Sequence, residues 1–340
     1  MKTTILTLNQ TPYENGKASG EYFKSVLNPV ILKDTPLKKR PELKEKCIHM
    51  MHRLQKKYPD YYDETIGKAD GLGMDRIEYF SIMCPELFNF GFEHCTTIIT
   101  KKENGHFVLS HNEDDNYIEQ NFCLSKVYTN EQNWFMTNDM FNMPFGNGIS
   151  YNSHGIIKTI NYTHEEDVHP DELPRYYGQR HISEASSLDD LIERCKEMKT
   201  GSGFHVTAID TNTLKAISVE VYPDSISIIP VENWYVHTNH YIHNQHKNNP
   251  KTDKGSNSIF RLHKAQELIQ DAEKTVDSIK QILNYRSLEN RFDNSILQTT
   301  DDPYITLFNF TVNTETLDYV FLDVNVTHEQ LLLDYKKSCT

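Results

Sequence analysis

The chain has 340 residues, 37% of them hydrophobic and 24% charged, a length and composition that suit one large or two small packed domains and exclude a disordered or fibrous chain. Its formal net charge of -13, with no dense Lys/Arg patch, argues against nucleic acid or any other polyanion as a partner, since such binding needs a basic face for counterion release. No window approaches the roughly 20 apolar residues of a membrane span, the apolar patch of MKTTILTLNQTP is too short for a signal-peptide core, and six scattered cysteines fit reduced thiols; a cytoplasmic protein with no membrane partner is expected.

The chain opens with an alternating strand at residues 3–8 and continues mainly as helices. Apolar residues three and four apart predict helices over 14–27, 41–57 and 75–88, with Pro59 and Gly71-Leu72-Gly73 read as breaks. From residue 95 onward strands dominate, at 96–100, 107–110, 123–128, 148–151, 156–162, 205–210, 215–221, 225–229 and 234–238. Helices are expected at 186–198 and at 258–285 with a break near Ala272, and two last strands at 304–312 and 316–322. Segregated strands and helices predict an α+β fold of largely antiparallel sheets between helical layers. The change at residue 95 carries no Gly/Pro/Ser linker, so a mainly helical segment 1–94 is expected to pack on a core formed by 95–340 as one unit.

Within this pattern the segment HCTTIITKKENGHFVLSHNEDD, residues 94–115, reads as a β-hairpin around Glu103-Asn104-Gly105, Asn-Gly being the strongest short hairpin signal. Folding it back brings the Cys95 thiol and the Asp114 carboxylate to one sheet, the pattern of a nucleophile beside an orienting group. A buried structural cysteine and a turn aspartate are the plainer readings of the same two residues. A competing signal is His237, His240, His243 and His246, spaced by three, which on a helix could hold zinc. Trp234-Tyr235-Val236 reads as a strand and Asn244, Asn248, Asn249 and Pro250 disfavour helix, so no metal site and no cofactor are expected, and a non-enzymatic metal-binding protein is the alternative of a different class.

The segment from Cys95 to Asp114 resembles the nucleophile region of the acyl-coenzyme A:6-aminopenicillanic acid acyltransferase family, a branch of the N-terminal-nucleophile hydrolases. Further matches follow in the family's order. Ile66-Gly67-Lys68-Ala69-Asp70-Gly71-Leu72-Gly73, Glu78 and Pro85-Glu86-Leu87 resemble its small-residue turn and the helix before the nucleophile. Tyr151-Asn152-Ser153-His154-Gly155-Ile156 resembles its Asn-x-x-Gly turn, Thr238-Asn239-His240 its Thr-Asn-His motif, and Ser258-Ile259-Phe260-Arg261 its Ser-x-x-Arg helix start. The choloylglycine-hydrolase and penicillin V acylase branch shares the Cys, Asp and two Asn but carries its Cys near the start of the precursor, so the long segment before Cys95 favours the acyltransferase branch.

The resemblance implies a four-layer αββα sandwich, autoproteolysis of the His94/Cys95 bond, and an acyltransferase or amidohydrolase acting on small-molecule linear amides or acyl thioesters through an S-acyl-Cys95 intermediate. The alternatives are a choloylglycine-hydrolase-like or penicillin-acylase-like amidase, or an uncleaved non-catalytic member with a metal site at the His cluster. An α-amino group has a pKa of about 8, so a newly terminal Cys95 could use its own amine as base. By the same resemblance Asp114 orients the nucleophile, Asn239 and Asn152 supply the oxyanion hole, Arg261 supports the nucleophile or the substrate carbonyl, and fragments 1–94 and 95–340 remain associated. His111, Tyr151 and Phe145 are expected to line the acyl pocket, with Phe135 and Phe141 as further aromatic candidates. Two departures stand out: His94 occupies the position before the nucleophile where Gly is common, and His111 stands where relatives carry Arg or Gln.

Overall fold

The structure is a computed structural model and describes residues 4–89, 94–115, 122–163, 168–243, 257–289, 292–299, 302–323 and 330–334. The first part of the chain gives β1 (Ile5–Leu8) and helices α1 (Pro12–Val26), α2 (Pro36–Lys39), α3 (Lys44–Lys57), α4 (Pro59–Leu72), α5 (Arg76–Ile82) and α6 (Pro85–Phe88). Then come β2 (His94–Lys101), β3 (Phe107–Asp115), β4 (Phe122–Tyr128), β5 (Trp134–Met140), β6 (Ser150–Asn152) and β7 (Ile156–Tyr162), followed by α7 (Arg175–Ile182) and α8 (Leu188–Glu197). The rest is β8 (Phe204–Asp210), β9 (Lys215–Val221), β10 (Ile226–Pro230), β11 (Trp234–His237), α9 (Ser258–Ile269), α10 (Val276–Leu283), β12 (Ile305–Asn313), β13 (Asp318–Asp323) and β14 (Gln330–Asp334).

One sheet has eight strands in the order β1-β4-β5-β6-β7-β8-β9-β10 and the other six in the order β11-β2-β3-β12-β13-β14. Pairing is antiparallel throughout except for β1 against β4, where Ile5 faces Leu124. The layering follows from the period-two alternation of strand side chains. Ile99, Phe107 and Leu109 of the second sheet share a core with Ile157, Ile209 and Ala216 of the first, so these faces meet. Their neighbours Ile98 and Val108 pack instead on Leu262, Ala265 and Ile279 of α9 and α10. On the far side, Ile156, Val206, Ala208 and Val219 pack on Ile182, Leu188 and Leu191 of α7 and α8. The result is the expected αββα sandwich.

Residues before the hairpin are knitted into this body. β1 lies in the larger sheet, and the apolar faces of α1, α3 and α4 share a core with Cys123, Phe141, Tyr177 and Met198. Lys68 of α4 is buried with its ammonium 2.6 Å from Asp139 of β5, which also accepts from Ser19 of α1 and Ser125 of β4. Separating such a buried pair by removing one partner costs about 3–5 kcal/mol.

Several elements depart from the sequence reading: α2 and β14 were not read, the helix expected over 75–88 is split into α5 and α6, and three further departures have a clear cause. Gly67 and Gly71, read as part of a breaking small-residue turn, lie inside α4, because α1 and α4 cross at backbone distance. A Cβ on Gly67 would stand 2.0 Å from the Tyr13 carbonyl oxygen, and one on Gly16 2.0 Å from that of Glu64. The glycines are there for contact rather than for a turn. β5 was missed because Asn138 and Asp139 interrupt its apolar pattern, and α7 because its buried face is built from Arg175, Arg180, Tyr176 and Tyr177 instead of aliphatic residues. The hairpin forms with Gly105 at φ +88°, and its strands extend further than read, to His94 and Asp115. Of the His series, His246 lies outside the described residues.

Gly67→Ala tests the helix crossing. On an open helix it would stabilise by about 1 kcal/mol; here it is expected to destabilise by about 1–3 kcal/mol in urea denaturation, and an unchanged or raised midpoint would contradict the contact.

Candidate active site

The hairpin register decides what the Cys95 thiol meets. Cys95 pairs with Glu113 and His94 with Asp114, and directly opposed residues of an antiparallel pair point to the same face. Cys95 and Glu113 therefore share the inter-sheet face, with Sγ 3.6 Å from Glu113 Oε1. Glu113 Oε2 lies 3.0 Å from His111 Nε2, on the same face. Asp114 instead points to the outer face, where Thr306 donates to Oδ1 at 2.5 Å and Oδ2 is buried without a hydrogen bond. The sequence brought thiol and Asp114 to one sheet, as read, but the carboxylate on the thiol's own face is Glu113.

Asp114 works from behind. Burial pushes its carboxyl up to about 6 against the opposing pull of the Arg261 guanidinium. Arg261, fully buried on α9, donates to the Cys95 carbonyl at 2.6 Å, Thr96 Oγ1 at 2.8 Å, Asn239 Oδ1 at 2.7 Å and Asn257 Oδ1 at 2.7 Å. Asn239 Oδ1 also accepts the Cys95 backbone N–H at 2.9 Å. Both backbone groups of Cys95 are thus held, one by Asn239 and one by Arg261. Asn239 Nδ2 donates to the Tyr162 carbonyl at 3.0 Å, and its own N–H bonds Ser258 Oγ at 2.8 Å, which fixes the end of β11 to the start of α9. His94 is buried with its ring 4.2 Å from that of Tyr304.

A small cavity of about 10 Å³ adjoins the thiol, room for about one water, and is lined by Cys95, Glu113, Asn138, Met143, Asn147, Gly148, Ile160 and Tyr162. Asn147 is buried and its Nδ2 has no hydrogen-bond partner. Its loop is pinned by Lys158, whose ammonium donates to the carbonyls of Gly146 at 2.7 Å and Gly148 at 3.2 Å and whose pKa burial pulls down to about 7.

Several expected site residues lie elsewhere. Asn152 spends its side chain on the β6–β7 turn, accepting from the backbone N–H of His154 and Ile156 and donating to the carbonyls of Ser183 and Ala185. Ile156 begins β7 and Tyr162 ends it; six residues at about 3.3 Å each put Asn152 roughly 20 Å from the Tyr162 carbonyl that Asn239 holds. Tyr151 packs in the inter-sheet core against Trp134. Phe145 and Phe135 pack with Leu8 and Val127 on the far face of the larger sheet, and Phe141 joins the N-terminal helical core. None of these aromatics lines the thiol cavity. Glu113 and Asn147, which do, were missed. Glu113 could have been found by counting the hairpin register back from the turn; Asn147 sits in a loop that no periodicity reports.

Among the described residues, the three histidines of the series form no common ligand set, although His237 and His243 both approach Glu220. His237 Nε2 lies 3.1 Å from Glu220, His243 Nε2 bonds Ser218 and Tyr235 at 3.0 Å, and His240 Nδ1 turns to Ser258 Oγ at 2.8 Å. His237 and His243 belong to a buried polar layer with His205, which stacks on His237 at 3.5 Å between ring centroids.

Comparison with known proteins places the chain in a family. The chain is 22% identical over 226 residues to the beta-alanyl-dopamine/carcinine hydrolase of Drosophila melanogaster, covering 58% of each, so it spans little more than half that relative's length. It is 22% identical over 252 residues to the 40 kDa form of acyl-coenzyme A:6-aminopenicillanic-acid-acyltransferase of Emericella nidulans, covering 70% of this chain and 68% of that one. Two crystal structures of conjugated bile acid hydrolase from Clostridium perfringens, each of a singly substituted form, align over 72% of this chain and 93% of theirs, at 15% and 16% identity and TM-scores of 0.46 and 0.48. Among the described residues no helix is long and apolar enough to cross a membrane. The family model of acyl-coenzyme A:6-aminopenicillanic acid acyl-transferase matches residues 100–316, starting five residues after Cys95 and covering well over half the chain, and the protein belongs to that family.

Proposed function

We propose that the protein is a self-processing enzyme that hydrolyses or transfers the acyl group of a small-molecule amide or thioester through an S-acyl intermediate on Cys95. The observation that carries this reading is the double grip on the Cys95 backbone: Asn239 Oδ1 holds the nitrogen and Arg261 the carbonyl, with the thiol left on the cavity side. Were the His94/Cys95 bond cut, that nitrogen would be an α-amine already placed by Asn239, with a pKa of about 8 suited to taking the thiol proton. The family's acyltransferase and hydrolase members support chemistry at an acyl carbonyl.

Processing would begin with Sγ attacking the His94 carbonyl carbon. The new C–S bond replaces the C–N bond, the thiol proton ends on the freed nitrogen, and water then splits the thioester to leave the His94 carboxylate and the Cys95 thiol. The two fragments, 1–94 and 95–340, would stay together, because β1 is paired in the larger sheet and the first helices share its core. In turnover the same thiol attacks the substrate, the α-amine moves its proton to the leaving amine, and water or an acceptor amine resolves the thioester. Asn147 lines the cavity and its Nδ2 has no hydrogen-bond partner, which makes it the candidate donor to the tetrahedral oxyanion. Asp114 keeps the Arg261 charge company from the outer face and so positions rather than reacts.

Intact mass is the direct test of processing. The wild type is expected to give two masses meeting between residues 94 and 95, and Cys95→Ala a single full-length one; a wild type that stays whole, with full activity, would sink the reading. For the oxyanion role, Asn147→Ala is expected to lower kcat by about 10²–10³ with little change in KM, while Asn152→Ala affects stability alone; equal kcat for Asn147→Ala and wild type would rule the donor out. Activity, measured on a panel of β-alanyl amines, penicillins, acylated amino acids and bile-salt conjugates, is expected to rise with pH through about 6 as buried Asp114 loses its proton. Asp114→Asn should remove that acid limb, and an unchanged limb would assign it to another group.

A further inference from the structure

The proposed acyl-transfer chemistry uses neither of the two side chains that face the Cys95 thiol from β3. His111 and Glu113 are buried with it, and one ligand atom from each of the three residues lies within 4.8 Å of the other two. We propose that Cys95, His111 and Glu113 form a zinc site that silences the thiol of this chain. The silencing, though not the binding, rests on Cys95 being the nucleophile.

The hydrogen bonds around His111 suit a metal-bound imidazole. Thr97 Oγ1 donates its one proton to Asn161 Oδ1 at 2.8 Å, so toward His111 Nδ1, also 2.8 Å away, it can only accept. Nδ1 then carries the ring proton, and Nε2 presents its lone pair to Glu113 Oε2 at 3.0 Å. Two acceptors at that distance repel unless a proton or a metal ion lies between them.

The thiol-to-carboxylate distance suits zinc. Bonds of about 2.0–2.3 Å in a tetrahedral site put ligand atoms roughly 3.3–3.8 Å apart, and Sγ to Oε1 is 3.6 Å. Thr97 would act as the outer partner that fixes the ring of a metal-bound histidine. A thiolate and a carboxylate together balance the dication. The fourth position opens on the cavity of about 10 Å³ beside Asn138 and Asn147, enough for about one bound water. Binding releases the thiol proton to solvent and occupies the sulfur lone pair that would otherwise attack a carbonyl. Both self-cleavage and turnover would stop until the metal left.

Cobalt titration of the metal-stripped full chain tests the site. One equivalent of Co²⁺ is expected to produce thiolate-to-cobalt charge-transfer absorption, displaced by Zn²⁺ and lost in Cys95→Ala. His111→Asn and Glu113→Gln are expected to weaken it by more than about 100-fold, beyond the effect of losing an outer partner. No stoichiometric band in the wild type, which needs no variant to fold, or a band that survives Cys95→Ala, would overturn the site. Saturating Zn²⁺ is then expected to abolish amide turnover and EDTA to restore it, and turnover indifferent to bound zinc would overturn the silencing. A chain that binds cobalt through Cys95 but never cleaves or turns over, even stripped of metal, would refute the nucleophile reading and the silencing with it, leaving the metal site standing.

Discussion

The site depends on one buried guanidinium. Arg261 is fully enclosed, and a charge there is tolerable only because its donors are matched: the Cys95 carbonyl and Thr96 on β2, Asn239 after β11, and Asn257 at the cap of its own helix. These bonds tie the strand that carries the thiol to the helix layer beneath it. They also fix Asn239, whose oxygen is shared between Arg261 and the Cys95 nitrogen. The Asp114 carboxylate balances the charge through space, with Oδ1 taken by Thr306 and Oδ2 without a hydrogen bond. Remove Arg261 and its neighbours lose a partner in a dry environment, so its loss would cost both order at Cys95 and stability.

On the inner face the constraint is different. The two sheets pack through an apolar zone of Ile99, Leu109, Ile157 and Phe310, then give way near Cys95 to a polar layer running through Glu113, His111, Thr97, Asn161 and His205 to Ser218. Buried polar groups at this density must be mutually satisfied or they destabilise the sandwich. Most are: Glu220, though burial works against its ionisation, is held at about 2 by His237 and further bonds. Asn161 Nδ2 is buried without a hydrogen-bond partner, and His111 Nε2 and Glu113 Oε2 meet at 3.0 Å beside the thiol.

The hairpin was legible because Asn104-Gly105 forces a turn and the flanking strands alternate; its register, and therefore the choice of Glu113 over Asp114 as the thiol's neighbour, was available by counting but needed the turn's length. Cys95, Asn239 and Arg261 were singled out through ordered resemblance, and the structure brings the three together although 144 and 166 residues separate Cys95 from the other two. Asn152 failed for a geometric reason: a motif fixes the turn it forms but not which end of the next strand faces the site. The aromatics failed because Phe135, Phe145 and Tyr151 fill core faces as well as any pocket. Gly67 and Gly71 were mistaken for a turn because a sequence does not reveal that another helix approaches within backbone contact.

The central claim is that Cys95 becomes the first residue of its chain and carries the acyl group. Rapid acid quenching of the protein turning over an amide substrate, followed by peptide mass analysis, tests it. The account predicts a peptide beginning at Cys95 that is heavier by the acyl mass, released to the free peptide by hydroxylamine. An acyl group on another residue, or turnover in which Cys95 stays joined to His94, would contradict it.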